Sequence, residues 1–252
     1  MKSTNYSKEL KIAVSAVKAS EKTFRKYFGT KTKVEIKNNN YRDLVSFADK
    51  KIEREIKAVL HKAFPHYGFV GEEGSNVNSD AKMVWILDAI DGTTNYLQGS
   101  IDCAISLVLQ KAGRSVLGVV YAPLRNQLYS ATAKGGAFLN GKRIKVSRVT
   151  EIKYGYGSFG WEKNLKFAVT KFPKILQEVK NIRICGSGAI SLCQVAEGVF
   201  DFHVGHDLKI WDYAAAQVIL EEAGGELILS AHPKMQIAAN KVLAAKLFHL
   251  FK

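Results

Sequence analysis

One eleven-residue stretch constrains this chain more than any other: Trp85-Ile86-Leu87-Asp88-Ala89-Ile90-Asp91-Gly92-Thr93-Thr94-Asn95. An apolar strand runs into two carboxylates three residues apart and then into a Gly-Thr turn. Carboxylates at the end of a buried strand are costly unless something positive sits among them. A hard divalent cation with oxygen ligands removes that cost. Gly92 lets backbone N–H groups come close to an anion, and Thr93 offers a hydroxyl beside it. The segment therefore predicts metal-assisted phosphoryl chemistry; its plainer alternative is an Asp-rich surface turn that holds nothing.

The chain has 252 residues and is 47% hydrophobic, enough for a sizeable core in one domain or two closely packed ones. No apolar run reaches the ~18 residues of a membrane span, and Met1-Lys2-Ser3-Thr4-Asn5 lacks the apolar segment of a signal peptide, so the expectation is a cytoplasmic protein. Cys103, Cys185 and Cys193 have no CxxC spacing and read as reduced core thiols. The net charge of +14 attracts polyanions and steers phosphorylated substrates. The lysines are spread widely, densest over 18–37, without the concentrated stripe and aromatic platforms of a nucleic-acid face.

Leu10, Val14, Val17, Phe24 and Phe28 share a helical stripe, which predicts a helix over 6–28 ending at Gly29. Residues 30–42 read as a mobile polar loop. A second helix carries Val45, Ala48, Ile52, Ile56, Val59 and Ala63 on its buried face and stops before Pro65. Asp49 sits at the shoulder of that face, either in water or aimed into a site. Strands are expected at 83–88, 103–110, 115–121, 127–132 and 136–139, mostly antiparallel. After Trp161 the pattern alternates: helix 162–178, strand 182–185, helix 188–197, strand 199–204, helix 212–223, strand 226–229 and helix 241–251. The fold class is α/β (α+β): one domain over 1–252, with subdomains 1–150 and 151–252 sharing a cleft.

Three acidic segments fall near predicted element ends: Gly71-Glu72-Glu73-Gly74-Ser75, the Asp88/Asp91 turn, and Trp211-Asp212. Alone, Glu72 and Glu73 are surface turn residues and Asp212 is an ordinary helix N-cap. Together, and with Gly118-Val119-Val120-Tyr121, Gly136-Ala137-Phe138-Leu139-Asn140-Gly141, Gly186-Ser187-Gly188-Ala189 and Glu222-Ala223-Gly224-Gly225, they resemble the inositol monophosphatase family from about residue 6 to residue 240. That family comprises magnesium-dependent, lithium-sensitive sugar-phosphate phosphatases with a layered αβαβα sandwich. The resemblance implies Glu72, Asp88 and the Ile90 carbonyl as ligands of a first Mg2+, and Asp88, Asp91 and Asp212 as ligands of a second. A third ion would lean on Glu72, and Mn2+ would substitute for Mg2+. It further implies Asp49 and Thr93 as the pair that positions the attacking water. Gly92 and Thr93 would present N–H groups to phosphate, and Lys37 would approach it from a loop. Arg183, Gly186 and Ser187 would lie near the sugar, with Asp91 and Asp212 also facing substrate. The implied activity is hydrolysis of a small polyol or sugar phosphate, inositol 1-phosphate first and fructose 1,6-bisphosphate second, by a homodimer. Some bacterial relatives act instead with RNA or transcription complexes.

Two departures from the family pattern stand out. Ala89 replaces a proline, which frees a backbone angle and restores an N–H. Gly205 stands seven residues before Asp212, where inositol-specific members carry a Glu; His203, His206 and Asp207 are its neighbours. Thr94-Asn95 matches inositol and fructose-bisphosphate phosphatases better than members acting on phosphoadenosine phosphate or histidinol phosphate, which carry Lys at the position of Thr94.

Overall fold

A computed structural model of the chain describes residues 6–30, 35–36, 44–160, 164–231 and 234–252. Helices and sheets alternate in five layers, and three apolar clusters fill the gaps between them. The outermost layer holds α1 (Ser7–Ala19), α2 (Glu21–Tyr27) and α3 (Phe47–Ala63). Their apolar stripes, Val17, Phe24, Ile52 and Ile56 among them, pack on Trp85, Leu87, Leu107 and Val119 of an eight-stranded sheet. The stripe expected to be one helix breaks at Ser20, whose hydroxyl donates to the Val17 carbonyl at 2.9 Å instead of leaving the backbone to continue. A short pair, β1 (Glu35–Ile36) and β2 (Leu44–Val45), lies before α3. The rest of the loop expected over 30–42, Lys37 included, lies outside the described residues beyond Thr30.

The large sheet contains β3 (Gly68–Gly71), β4 (Asn76–Val77), β5 (Met83–Asp91), β6 (Ala104–Lys111), β7 (Arg114–Ala122), β8 (Gln127–Thr132), β9 (Gly136–Leu139) and β10 (Lys142–Arg143). Its order is β10-β9-β8-β7-β6-β5-β3-β4, antiparallel except where β3 runs parallel to β5. Helix α4 (Thr93–Gln98) follows β5 directly. On the far face, Ile86, Val108 and Val120 meet α6 (Gly188–Ala196) and α7 (Ile210–Glu222), which form the middle layer. Below them lies a second sheet of β11 (Tyr156–Phe159), β12 (Asn181–Arg183), β13 (Phe202–Gly205), β14 (Gly225–Ala231) and β15 (Lys234–Asn240), ordered β12-β11-β13-β15-β14. Helices α5 (Leu165–Glu178) and α8 (Lys241–Phe251) cover its outer face through Phe159, Phe202, Ile237 and Leu247.

This is the expected α/β layering, with β11 and β15 of the second sheet, β3 of the large one and the two-residue strands β1, β2, β4 and β10 added to the strands the sequence announces. The three cysteines are free thiols, Cys103 and Cys193 buried. Among the described residues no helix is long and apolar enough to cross a membrane.

The middle layer is seated by one close approach. A Cβ on Gly118 of β7 would fall on the Ala215 carbonyl of α7, backbone against backbone. Overpacking typically costs about 1–3 kcal/mol, and a backbone neighbour has no rotamer to yield. Gly118→Ala is therefore expected to destabilise the fold by about 3 kcal/mol and to lower the thermal midpoint by roughly 6–12 °C. Urea and thermal melts check this; an unchanged midpoint would mean that α7 is not seated by this contact.

Candidate active site

The site begins with an irregularity in β5. Residues 84 and 86 face the middle layer, while 85, 87 and 89 face α1 and α3. Strict alternation would put Asp88 and Asp91 on opposite faces. Instead, the pairing with β6 shifts between them: Asp88 opposes Ser106, but Asp91 opposes Ala104. The extra residue in this bulge carries Asp91 back to the side of α6 and α7. There its carboxylate accepts the Ser187 hydroxyl and the N–H groups of Ala189 (2.9 Å) and Gly188 (3.3 Å). These are the first donors of α6, so Asp91 caps that helix from another strand. Asp88 turns inward and accepts the Ile90 N–H at 2.9 Å.

Two other elements bring acids to Asp88. The backbone N–H of Glu72, just past β3, donates to Leu87 O at 3.0 Å and so holds Glu72 beside the end of β5. Asp212 arrives on α7. The helix starts at Ile210 with Lys209 as its cap, so Asp212 is not the N-cap residue the sequence suggests. It is the third helical residue and accepts the Lys209 N–H at 2.6 Å. Ser106, directly across from Asp88, donates its hydroxyl to Trp211 O at 2.8 Å and docks this first turn against β6. The outcome is one carboxylate oxygen each from Glu72, Asp88 and Asp212, all within 4.8 Å of one another.

Burial and the charges of Glu72, Asp91, Asp212 and Asp49 hold the Asp88 carboxyl well above the ordinary carboxylate range. Asp91 is raised to about 6: burial pushes it up, and the Ser187, Ala189 and Gly188 donors hold it down in part. Such a cluster is at odds with itself unless protons or a cation enter it. Among the described residues its donors are carboxylate oxygens, the kind that suits hard divalent cations.

Asp49 resolves in favour of the site. It is 1% exposed, the third residue of α3, and closes a reciprocal cap with Ser46: Asp49 Oδ2 accepts the Ser46 N–H at 2.8 Å and its hydroxyl, while Ser46 Oγ accepts the Asp49 N–H. Its other oxygen faces Thr93, whose hydroxyl lies 3.3 Å from Asp49 Oδ1 and 3.0 Å from Ile90 O. Thr93 opens α4 after Gly92, which adopts the left-handed conformation at φ 87°.

The remaining predicted residues divide. Ser187 is the N-cap of α6, 5% exposed and spent on Asp91 and Ile190. Gly186 lies against the Asn95 amide, which donates at 2.7 Å to both Asp102 O and Cys185 O and pins this loop to β5's turn. Arg183 is not brought into the site by any of its described contacts. It is exposed on β12, bonded to Asn181 Oδ1 at 2.7 Å and stacked 5.3 Å from the Tyr156 ring. Lys37 lies outside the described residues. At Gly205 the His203 ring leans over the bare α-carbon, filling the place where a side chain would start. His203 is buried and bonded through Nδ1 to Ser158 at 2.8 Å; burial drops its pKa to about 4, so it is neutral. Two residues that bond to the segments carrying the acids went unread in the sequence: Ser106, on Trp211 O, and Glu53 of α3, on the N–H groups of Glu73 and Ser75.

A model of the inositol monophosphatase family matches residues 5–250. The chain is 36% identical over 246 residues to the fructose-1,6-bisphosphatase/inositol-1-monophosphatase of Aquifex aeolicus, covering 95% of this chain and 93% of that one. It is 38% identical over 222 residues to the inositol-1-monophosphatase of Rhizobium meliloti, covering 86% and 83%. The solved structure of the extragenic suppressor protein suhB from Bartonella henselae superposes with a TM-score of 0.91 at 30% identity, over 98% of this chain and 99% of that one.

The acid cluster makes a pH prediction for the metal-free protein. Asp88 and Asp91 hold protons more tightly folded than unfolded, where Asp titrates near 3.9. The contribution of Asp91 is whole below about pH 4 and is lost as pH rises through about 6, and Asp88 acts in the same direction. With chelator present, the thermal midpoint of the wild type is expected to fall between pH 5 and pH 7 more steeply than that of Asp91→Asn. Parallel slopes would remove the cluster as the cause.

Proposed function

The chain belongs to the inositol monophosphatase family, and on that premise we propose that it is a Mg2+-dependent phosphomonoesterase acting on a small polyol or sugar phosphate. Inositol 1-phosphate is the leading substrate and fructose 1,6-bisphosphate the second. The observation that carries the reading is the convergence of Glu72, Asp88 and Asp212 within 4.8 Å, with the Asp49–Thr93 pair beside them. A role in binding RNA or a transcription complex would not need that set to be complete.

Glu72, Asp88 and the Ile90 carbonyl would hold a first cation, and Asp88, Asp91 and Asp212 a second, the oxygens of Glu72, Asp88 and Asp212 already lying close together. Bound Mg2+ supplies charge neutralisation on the phosphate oxygens and a water made acidic, in favourable cases from a pKa of about 15.7 towards about 7. The protein's own part is orientation and proton handling. Ser46 occupies one oxygen of Asp49, so the other is left to Thr93. A Thr93 hydroxyl that donates to Asp49 turns its lone pairs outward, where they accept a proton from the attacking water. Asp49 Oδ1 then receives the proton that Thr93 passes on. The N–H groups of Gly92 and Thr93, at the start of α4, face the incoming phosphate and fix it in line with that water. No covalent phospho-enzyme is required.

Phosphate release from inositol 1-phosphate, fructose 1,6-bisphosphate, phosphoadenosine phosphate and NADP, with and without Mg2+, tests the reading. The first two are expected to turn over only with Mg2+. Thr93→Ala and Asp49→Asn are expected to lower kcat by about 10²–10⁴, the usual worth of a positioned acid–base group, with smaller effects on KM. Asp88→Asn is expected to abolish release. Metal-independent turnover, or an Asp88→Asn variant as active as wild type, would refute it.

A further inference from the structure

Glu53 is an acid in a place where acids are rare. It is 3% exposed, on α3 between Ile52 and Ile56, with no cation among its described contacts. Its carboxylate instead receives two backbone donors, the N–H of Glu73 at 3.0 Å and the N–H of Ser75 at 3.1 Å. The turn that supplies them is closed on itself by Gly71 N–H to Ser75 O at 2.7 Å. It also lies hard against Glu53, because a Cβ on Gly71 would fall on the Glu53 carboxylate. Glu72, between Gly71 and Glu73, is the one residue of this turn that contributes to the acid trio. Its N–H is fixed to Leu87 O, so the chain on either side of it is tied down, by β5 before its Cα and by Glu53 after it.

Glu53 is one helical turn after Asp49, and residues four apart lie on the same helix face. Helix α3 therefore offers two acids to the site, Asp49 directly to Thr93 and Glu53 to the backbone behind Glu72. We propose that Glu53 is a positioning residue for the cation: it fixes the Glu72 turn to α3 and so sets Glu72 at the right separation from Asp88 and Asp212. This rests on the metal-dependent reading above. It requires both oxygens of a carboxylate. An amide of the same shape accepts one N–H and turns its own NH2 towards the other, leaving two donors face to face.

The test is Glu53→Gln, with Mn2+ as probe, its free ion counted by electron paramagnetic resonance. The Mn2+ Kd is expected to rise about 10-fold or more, in the range lost with supporting groups of metal ligands. The Mg2+ concentration for half-maximal phosphate release is expected to rise in parallel, with kcat at saturating Mg2+ within about threefold of wild type. Glu55→Gln, on the same helix but paired with Lys51 and Thr23, is expected to keep the wild-type Kd. A thermal melt in chelator verifies folding, and Glu53→Asp, which withdraws the carboxylate by one methylene, carries the same expectation if the amide variant does not fold. A folded Glu53→Gln with the wild-type Mn2+ Kd overturns the inference. A wild type that binds no Mn2+ overturns the metal reading itself.

Discussion

Everything in this fold is arranged around a repulsion. Asp49, Glu72, Asp88, Asp91 and Asp212 come from four separate segments of chain, and three of them are buried. Left alone, like charges in a low-dielectric place push one another apart or take up protons. The protein holds Asp49, Asp88, Asp91 and Asp212 by hydrogen bonds to their carboxylates, and Glu72 by its backbone N–H to Leu87 O. The β5 bulge is the central piece, because without it Asp91 would point into the α1–α3 layer among Leu87, Ala89 and Leu107. A carboxylate in that apolar layer would cost several kcal/mol.

The backing comes largely from helix starts. Asp49 and Asp212 are each the third residue of a helix and accept the backbone N–H three residues earlier. Asp91 takes the same role for α6 from outside that helix. The N-terminal turns of α3, α6 and α7 thus aim their partial positive charge at one spot, which favours the ionised carboxylates there. The arrangement does two jobs with three of these side chains: Asp49, Asp91 and Asp212 each close a helix start, and each of those helix starts steadies an acid. This is why a reading of Asp212 as a cap and a reading of it as a ligand are not rivals.

How much of this the sequence revealed follows from the range of each signal. The Asp88/Asp91 turn, the terminal helix over 241–251 and the strand cores show because their patterns are local and periodic. Strand β11 is hidden because Tyr156-Gly157-Ser158-Phe159 is glycine-rich and reads as loop. Strand β15 is hidden because Ile237-Ala238-Ala239 is too small and unalternating to mark a strand, although it is central in its sheet. Glu53 looks like any charged residue at the edge of an apolar stripe; only the turn brought in from β3, some twenty positions later, gives it a partner. Ser106 is one more small polar residue in a strand until Trp211 is placed above it. Arg183, singled out for its position before the Gly186 loop, spends its charge on Tyr156 and Asn181, because neighbours in sequence need not face the same way.

The charge distribution has an ordering consequence. The chain carries +14 overall, yet five of its 23 acids gather at the place where, on the proposed reading, a phosphomonoester must bind. At long range the positive surface draws a dianion in, but at contact range an unfilled carboxylate cluster repels it. Attraction outside and repulsion inside are reconciled only when cations enter before or with the substrate. At about 0.1 M salt the first effect is screened beyond a Debye length of about 10 Å, while the second, between buried charges, is screened much less. On the proposed reading the cluster would take divalent cations first and phosphate second. Helix α3 would connect the two events through Asp49 and Glu53, because one of these acids faces Thr93 and the other holds the turn that carries Glu72.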